Sequence, residues 1–108
     1  MQTTKASLLN VAIERLAKEF TPEKIILFGS HVWGTPHAGS DIDLLVVLKS
    51  AAIPPTQRAA QAYRCLQGLK IPAEIIVSTQ KELEVYRAVP SALTKRILEK
   101  GRVVYGRG

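Results

Sequence analysis

The chain has 108 residues, 46% of them hydrophobic and 22% charged, the balance of one globular domain spanning residues 1–108 and not of a disordered polymer. A single cysteine, Cys65, excludes a disulfide-stapled scaffold, and no apolar run reaches the roughly 20 residues of a membrane span, nor does the N-terminus carry a signal-peptide pattern, so a cytoplasmic protein is expected. Much of the net charge of +6 is C-terminal, in Lys95, Arg96, Lys100, Arg102 and Arg107, without the aromatic interleaving of a nucleic-acid stripe, so nucleic acid is not expected as a direct partner. A basic surface also suits nucleotide phosphates or an acidic protein partner; charge alone does not choose, and a solvated helix face is the commonest explanation.

From Thr4 to Phe20, Leu9, Ile13, Leu16 and Phe20 recur at helical spacing and predict an amphipathic helix. Thr21-Pro22 ends it and leads into a strand, Lys24 to Phe28. The loop from His31 to Ser40 is polar, with Gly34, Pro36 and Gly39, and its first residues can make one helical turn. A second strand runs through Ile42 and Leu44 to Leu48 and leaves through a Pro-Pro break at 54–55. Thr56 to Leu69 reads as a helix with Ala59, Ala62, Tyr63, Leu66 and Leu69 on its inner side, followed by a strand from Pro72 to Val77. Thr79 with Glu82 makes a capping-box start for the next helix. Pro90 interrupts that helix, a further one runs from Ser91 to about Lys100, Gly101 stops it, and Arg102 to Tyr105 forms a closing strand. The alternation predicts an α/β (α+β) domain: a mixed β-sheet with helices mainly on one face.

Chemistry concentrates in residues 25–48. Gly29-Ser30 follows the first strand; after ten intervening residues Asp41-x-Asp43 opens the second, with Ser40 just before it. On a strand, Asp41 and Asp43 point to the same side and Ile42 to the other. Two carboxylates side by side at the head of an apolar strand repel each other, and a divalent cation offsets that repulsion. Taken singly, Gly-Ser is also a plain turn and Asp-x-Asp a solvated strand end.

Taken jointly, the Gly-Ser turn, the spacing and the Asp-x-Asp head of a hydrophobic strand resemble the signature of the nucleotidyltransferase superfamily of DNA polymerase beta. Within it the chain is similar to the minimal nucleotidyltransferases. The resemblance implies the nucleotidyltransferase fold, ATP as substrate and two magnesium ions as cofactors. It implies Asp41 and Asp43 as metal ligands, and Gly29, Ser30 and Ser40 as residues around the triphosphate. A third metal-binding and catalytic carboxylate on a later strand is implied as well. Here that candidate is Glu74, a lone acid in the apolar run Pro72 to Val77; burial would be costly for it unless it served a metal, and an edge-strand acid facing water is the other reading. Glu is one methylene longer than the family's usual Asp, which affects metal geometry.

Small members often carry arginines just after Gly-Ser, where this chain has His31 and Trp33. Trp33 reads as a half-buried loop residue, stacking on a base or packing on a partner being the other readings. His31 and His37 read as solvated loop histidines, phosphate contact being the other reading, and no ligand cluster makes a metal site of them. The resemblance also implies a partner. Minimal domains of this kind pair with a small all-helical HEPN-type toxin, transferring AMP from ATP to one of its tyrosines as the antitoxin of a type VII toxin–antitoxin system. The alternatives are a catalytically weak or inactive nucleotide-binding, inhibitory subunit of a two-protein complex, and a small-molecule transferase of the antibiotic-modifying kind. Because Leu45 and Val47 share the face of the acids, apolar surface is expected beside an open site, favouring a docked partner or a homo-oligomer.

Overall fold

Residues 44–48 form an unbroken branched run, and a strand without a polar face must be covered on both sides. The computed structural model, which describes residues 5–34, 41–87 and 93–106, places that strand inside the sheet. Its elements in chain order are α1 (Lys5–Phe20), β1 (Lys24–Phe28), α2 (Ser30–Trp33), β2 (Ile42–Leu48), α3 (Pro55–Cys65), β3 (Ala73–Thr79), α4 (Gln80–Arg87), α5 (Leu93–Lys100) and β4 (Arg102–Gly106). The sheet order is β3-β2-β1-β4. β1 runs antiparallel to β2 and β4, whereas β2 and β3 are parallel, with α3 carrying the chain across.

The two longest helices, α1 and α3, cover one face. Ile13 and Leu16 of α1 and Ala62 of α3 bury against Ile25, Leu27, Ile42, Leu44, Val46, Ile75 and Val77. Each fully buried aliphatic side chain contributes about 1.5–3 kcal/mol, so this layer holds the register of β2. The opposite face is covered by the shorter helices: Leu83 of α4 and Ile97 of α5 close over Ile26, Phe28, Leu45 and Val47. Leu45 and Val47 are accordingly 1% and 0% exposed. The expectation of bare apolar surface beside the acids therefore does not hold; α5, whose apolar residues recur on one side, covers it.

Local rules account for most boundaries. Thr21 donates its N–H to the Ala17 carbonyl and adopts φ of 42°, so α1 ends in a left-handed cap even without glycine. Pro55 opens α3, where its missing N–H costs nothing. The capping box forms at the junction of β3 and α4: Thr79 N–H donates to Glu82 Oε1 at 2.9 Å, and Glu82 N–H to Thr79 Oγ1 at 3.2 Å.

Helix α3 departs from expectation. Tyr63, read as an inner residue, is 45% exposed, whereas Arg58, which the apolar pattern did not include, is 3% exposed. Arg58 pairs bidentately with Glu82, at 2.9 and 2.7 Å, and also donates to the carbonyls of Ile53 and Val77. Its partners thus come from the loop before α3, from β3 and from α4. The inner stripe is narrowed to Ala62 and Leu66 because α3 lies at the β3 side of the sheet, where Tyr63 reaches the strand's outer edge. There the Ile75 N–H donates to the Tyr63 hydroxyl at 3.0 Å. The predicted restart at Pro90 and Ser91 lies outside the described residues.

Candidate active site

The site is assembled at one end of the sheet by register. β1 arrives at Phe28, paired with Asp43 of β2, and Asp43 is in turn paired with Glu74 of β3. Residues in register on neighbouring strands share a face, so Phe28, Asp43 and Glu74 stand in one row. That row lies on the Leu45–Val47 side, opposite the main core. Ile42 is 2% exposed and locked into the core, which turns Asp43 outwards; Asp41, exposed, precedes the strand.

The electrostatics show that these carboxylates are crowded. Burial pushes the Asp43 carboxyl above its usual range; the charges of Glu74 and then Asp41 push it the same way, as does a side-chain hydrogen bond with Glu74. His31 pulls in the opposite direction.

Glu74 itself is exposed on an edge strand. The expectation that a buried, unpaired acid would need a metal is corrected: its exposure costs nothing, and what places it at the site is its register with Asp43.

Gly29 explains how Asp43 fits. It has φ of 80°, a conformation side chains rarely adopt, and a Cβ built there would collide with Asp43 Oδ2 and stand 3.0 Å from its Cγ. The glycine thus makes room for the Asp43 carboxylate as well as leaving the backbone bare. Ser30 begins the single turn α2, whose Val32 and Trp33 N–H groups donate to the Gly29 carbonyl at 2.9 and 3.0 Å. Ser40 and His37 lie outside the described residues.

Trp33 is half-buried. It stacks on Phe28 with ring centroids 6.1 Å apart, and the Arg96 guanidinium lies 4.5 Å from its ring centroid. A nucleobase would have to displace one of these neighbours to stack there. The sequence named Arg96 only as one of the C-terminal basic residues; nothing in it pointed to Trp33, since an exposed cation on an amphipathic helix is ordinary.

The donor set is oxygen-only and acidic, the chemistry of a hard divalent cation such as magnesium. Among the described residues no three acidic, histidine or cysteine side chains form a ready-made metal cluster. Cavities lined by Pro22, Lys24 and Tyr105 and by Lys49, Lys81 and Val85 lie at the other end of the strands. Among the described residues no helix is long and apolar enough to cross a membrane.

The family model described as polymerase beta, nucleotidyltransferase, matches residues 10–108. Among solved structures, the chain is similar to a protein from Sulfolobus solfataricus described as a nucleotidyltransferase. The two share 22% identity over 98% of this chain and 91% of that one, with a TM-score of 0.66, a likeness of fold. A second structure so described is 25% identical over 89% of this chain and 96% of that one, with a TM-score of 0.57. No curated protein matches the sequence.

Proposed function

Since the chain belongs to the polymerase beta family of nucleotidyltransferases, we propose that it transfers AMP from ATP to a hydroxyl, that of a tyrosine on a HEPN-type helical toxin. It would thereby act as the antitoxin of a type VII pair. The observation that carries the transfer reading is the row formed by Asp43 and Glu74 beside the Gly29 turn. An Asp43 carboxyl crowded by neighbouring acids is suited to face a cation–phosphate complex.

In the reaction, the acceptor oxygen bonds to the α-phosphorus as the bond from that phosphorus to the bridging oxygen breaks. Pyrophosphate departs with the electron pair, and the acceptor's proton passes to a carboxylate or to water. Asp41, Asp43 and Glu74 are the residues that would hold magnesium, which would supply charge neutralisation at the reacting oxygens. Gly29 lets phosphate approach the backbone, Ser30 offers its hydroxyl, and Ser40 is assigned to the same phosphates. Glu74 is exposed and in register with Asp43, which suits it to meet the incoming hydroxyl and take its proton.

The helical partner is supported by the family's minimal members and by the elements described here, all of which go into the sheet and its cover. The test is transfer of label from α-labelled ATP, with magnesium, to a protein co-purified from the neighbouring gene. A tyrosine-linked AMP supports the proposal, and label on free aminoglycosides points to a small-molecule acceptor. A complex that binds ATP yet transfers nothing supports the inhibitory, non-catalytic subunit, a reading favoured by Glu74 standing where an Asp is usual.

A further inference from the structure

The site face carries a cation that is held in position over an aromatic ring. Arg96 projects from α5 with its guanidinium over Trp33, and Trp33 stacks on Phe28, the register partner of Asp43. An unbroken line of side chains therefore runs from the carboxylates through Phe28 and Trp33 to Arg96. Arg96 is exposed, and among the described residues its N–H donors meet no carboxylate or carbonyl; its recorded contact is the Trp33 ring.

A cation–π contact fixes the guanidinium but consumes none of its N–H donors. A free surface arginine loses rotamer freedom when it binds an anion; one already packed over an indole has lost part of it in advance. The planar fork matches phosphate oxygens bidentately. The other end of the line is acidic, so a polyphosphate lying against this face is repelled by Asp41, Asp43 and Glu74 unless cations meet it. A divalent ion can do so beside the acids, but the far end of the chain of phosphates needs a cation from the protein.

We propose that Arg96, held on Trp33, binds the terminal phosphates of a nucleoside polyphosphate whose metal-bound portion lies at Asp41 and Asp43. The assignment rests on the nucleotidyl-transfer reading and adds to it a specificity for the phosphate tail, set from α5 instead of from the loop after the Gly-Ser turn. It also gives Trp33 a role: positioning Arg96.

Trp33 is the sole tryptophan in the chain, so its fluorescence reports directly on this contact. Titration of the intact protein with inorganic tripolyphosphate in magnesium is expected to change that fluorescence, whereas adenosine is not. By isothermal titration calorimetry, Arg96→Gln is expected to weaken tripolyphosphate and ATP about tenfold. Arg96→Lys, which keeps the charge without the fork, should fall between. Because Arg96 is exposed, both variants should melt within a few degrees of wild type. In a transfer assay Arg96→Gln should raise KM for ATP about tenfold with a smaller effect on kcat. Unchanged tripolyphosphate and ATP affinity in Arg96→Gln, or a wild-type protein that binds neither, overturns the assignment. A wild type that binds tripolyphosphate through Arg96 yet transfers no nucleotide leaves it standing and overturns the transfer reading. Transfer with normal KM in Arg96→Gln does the reverse.

Discussion

At the scale of single residues, Gly29 and Asp43 behave as one unit. Their closeness alters what a side chain at position 29 would do: strain from the positive φ of about 1–3 kcal/mol, and displacement of the Asp43 carboxylate. Gly29→Ala is therefore expected to lower the melting temperature and nucleotide affinity together. Part of the stability loss should vanish in a background of Asp43→Ala, a coupling above about 0.5 kcal/mol in a double-mutant cycle. Asp43 also makes stability depend on pH. Its folded pKa lies above the ordinary 3.8, so its contribution is fully present below that value and is lost as pH rises through the raised one. Asp43→Asn should thus raise the melting temperature of the metal-free protein at pH 7 and leave it unchanged near pH 3. It should abolish any gain from magnesium and cut transfer about 100-fold or more. The paired acids and the Gly-Ser turn were legible because each breaks an apolar run. That Gly29 accommodates Asp43 was not, because strand pairing brings the two together across a loop.

Among the elements, the contact of Arg58 with Glu82 joins the start of α3 to the end of β3 and the first turn of α4. Sequence showed the Glu82 half, since a capping box is local, and hid the Arg58 half, since burial of a cation depends on a partner 24 residues away. Glu82 is held at about 2 against an ordinary 4.5, first by its hydrogen bonds with Arg58. A lowered pKa gives stability that is present above 4.5 and is lost as pH falls towards 2. Breaking a buried pair costs about 3–5 kcal/mol. The Glu82 side chain is 34% exposed, and solvent screening reduces that to about 2–3 kcal/mol for Glu82→Gln at pH 7. The difference from wild type should shrink to near zero at pH 2 in thermal melts. Thr21 offers the opposite case: a β-branched residue in the left-handed region, where Thr21→Gly should stabilise α1 by about 1 kcal/mol. Helix ends and strands came through in the sequence wherever capping or alternation is local. The inner face of α3 did not, because Tyr63 and Arg58 answer to the sheet edge.

For the whole molecule, that edge matters. β3 is an outer strand, and three of its backbone groups are taken up by side chains: Tyr63 meets the Ile75 N–H, Arg58 the Val77 carbonyl and Glu82 the Thr79 N–H. Covered edges resist pairing with other chains. Tyr63→Phe, which uncovers Ile75, is expected to cost under about 1 kcal/mol yet to increase concentration-dependent association in sedimentation velocity. The sheet order has a different consequence for how the protein comes into being. β1 obtains its outer neighbour from residues 102–106, and Ile26, Phe28, Leu45 and Val47 obtain their cover partly from Ile97. On the ribosome, the N-terminal half must wait for the last elements before the site face closes, a non-local pairing that slows folding. Until then the nascent chain displays the apolar patch that the finished protein conceals. Translation that stalls before Leu93 would therefore release a product prone to clump, and chaperone demand should fall on that interval of synthesis.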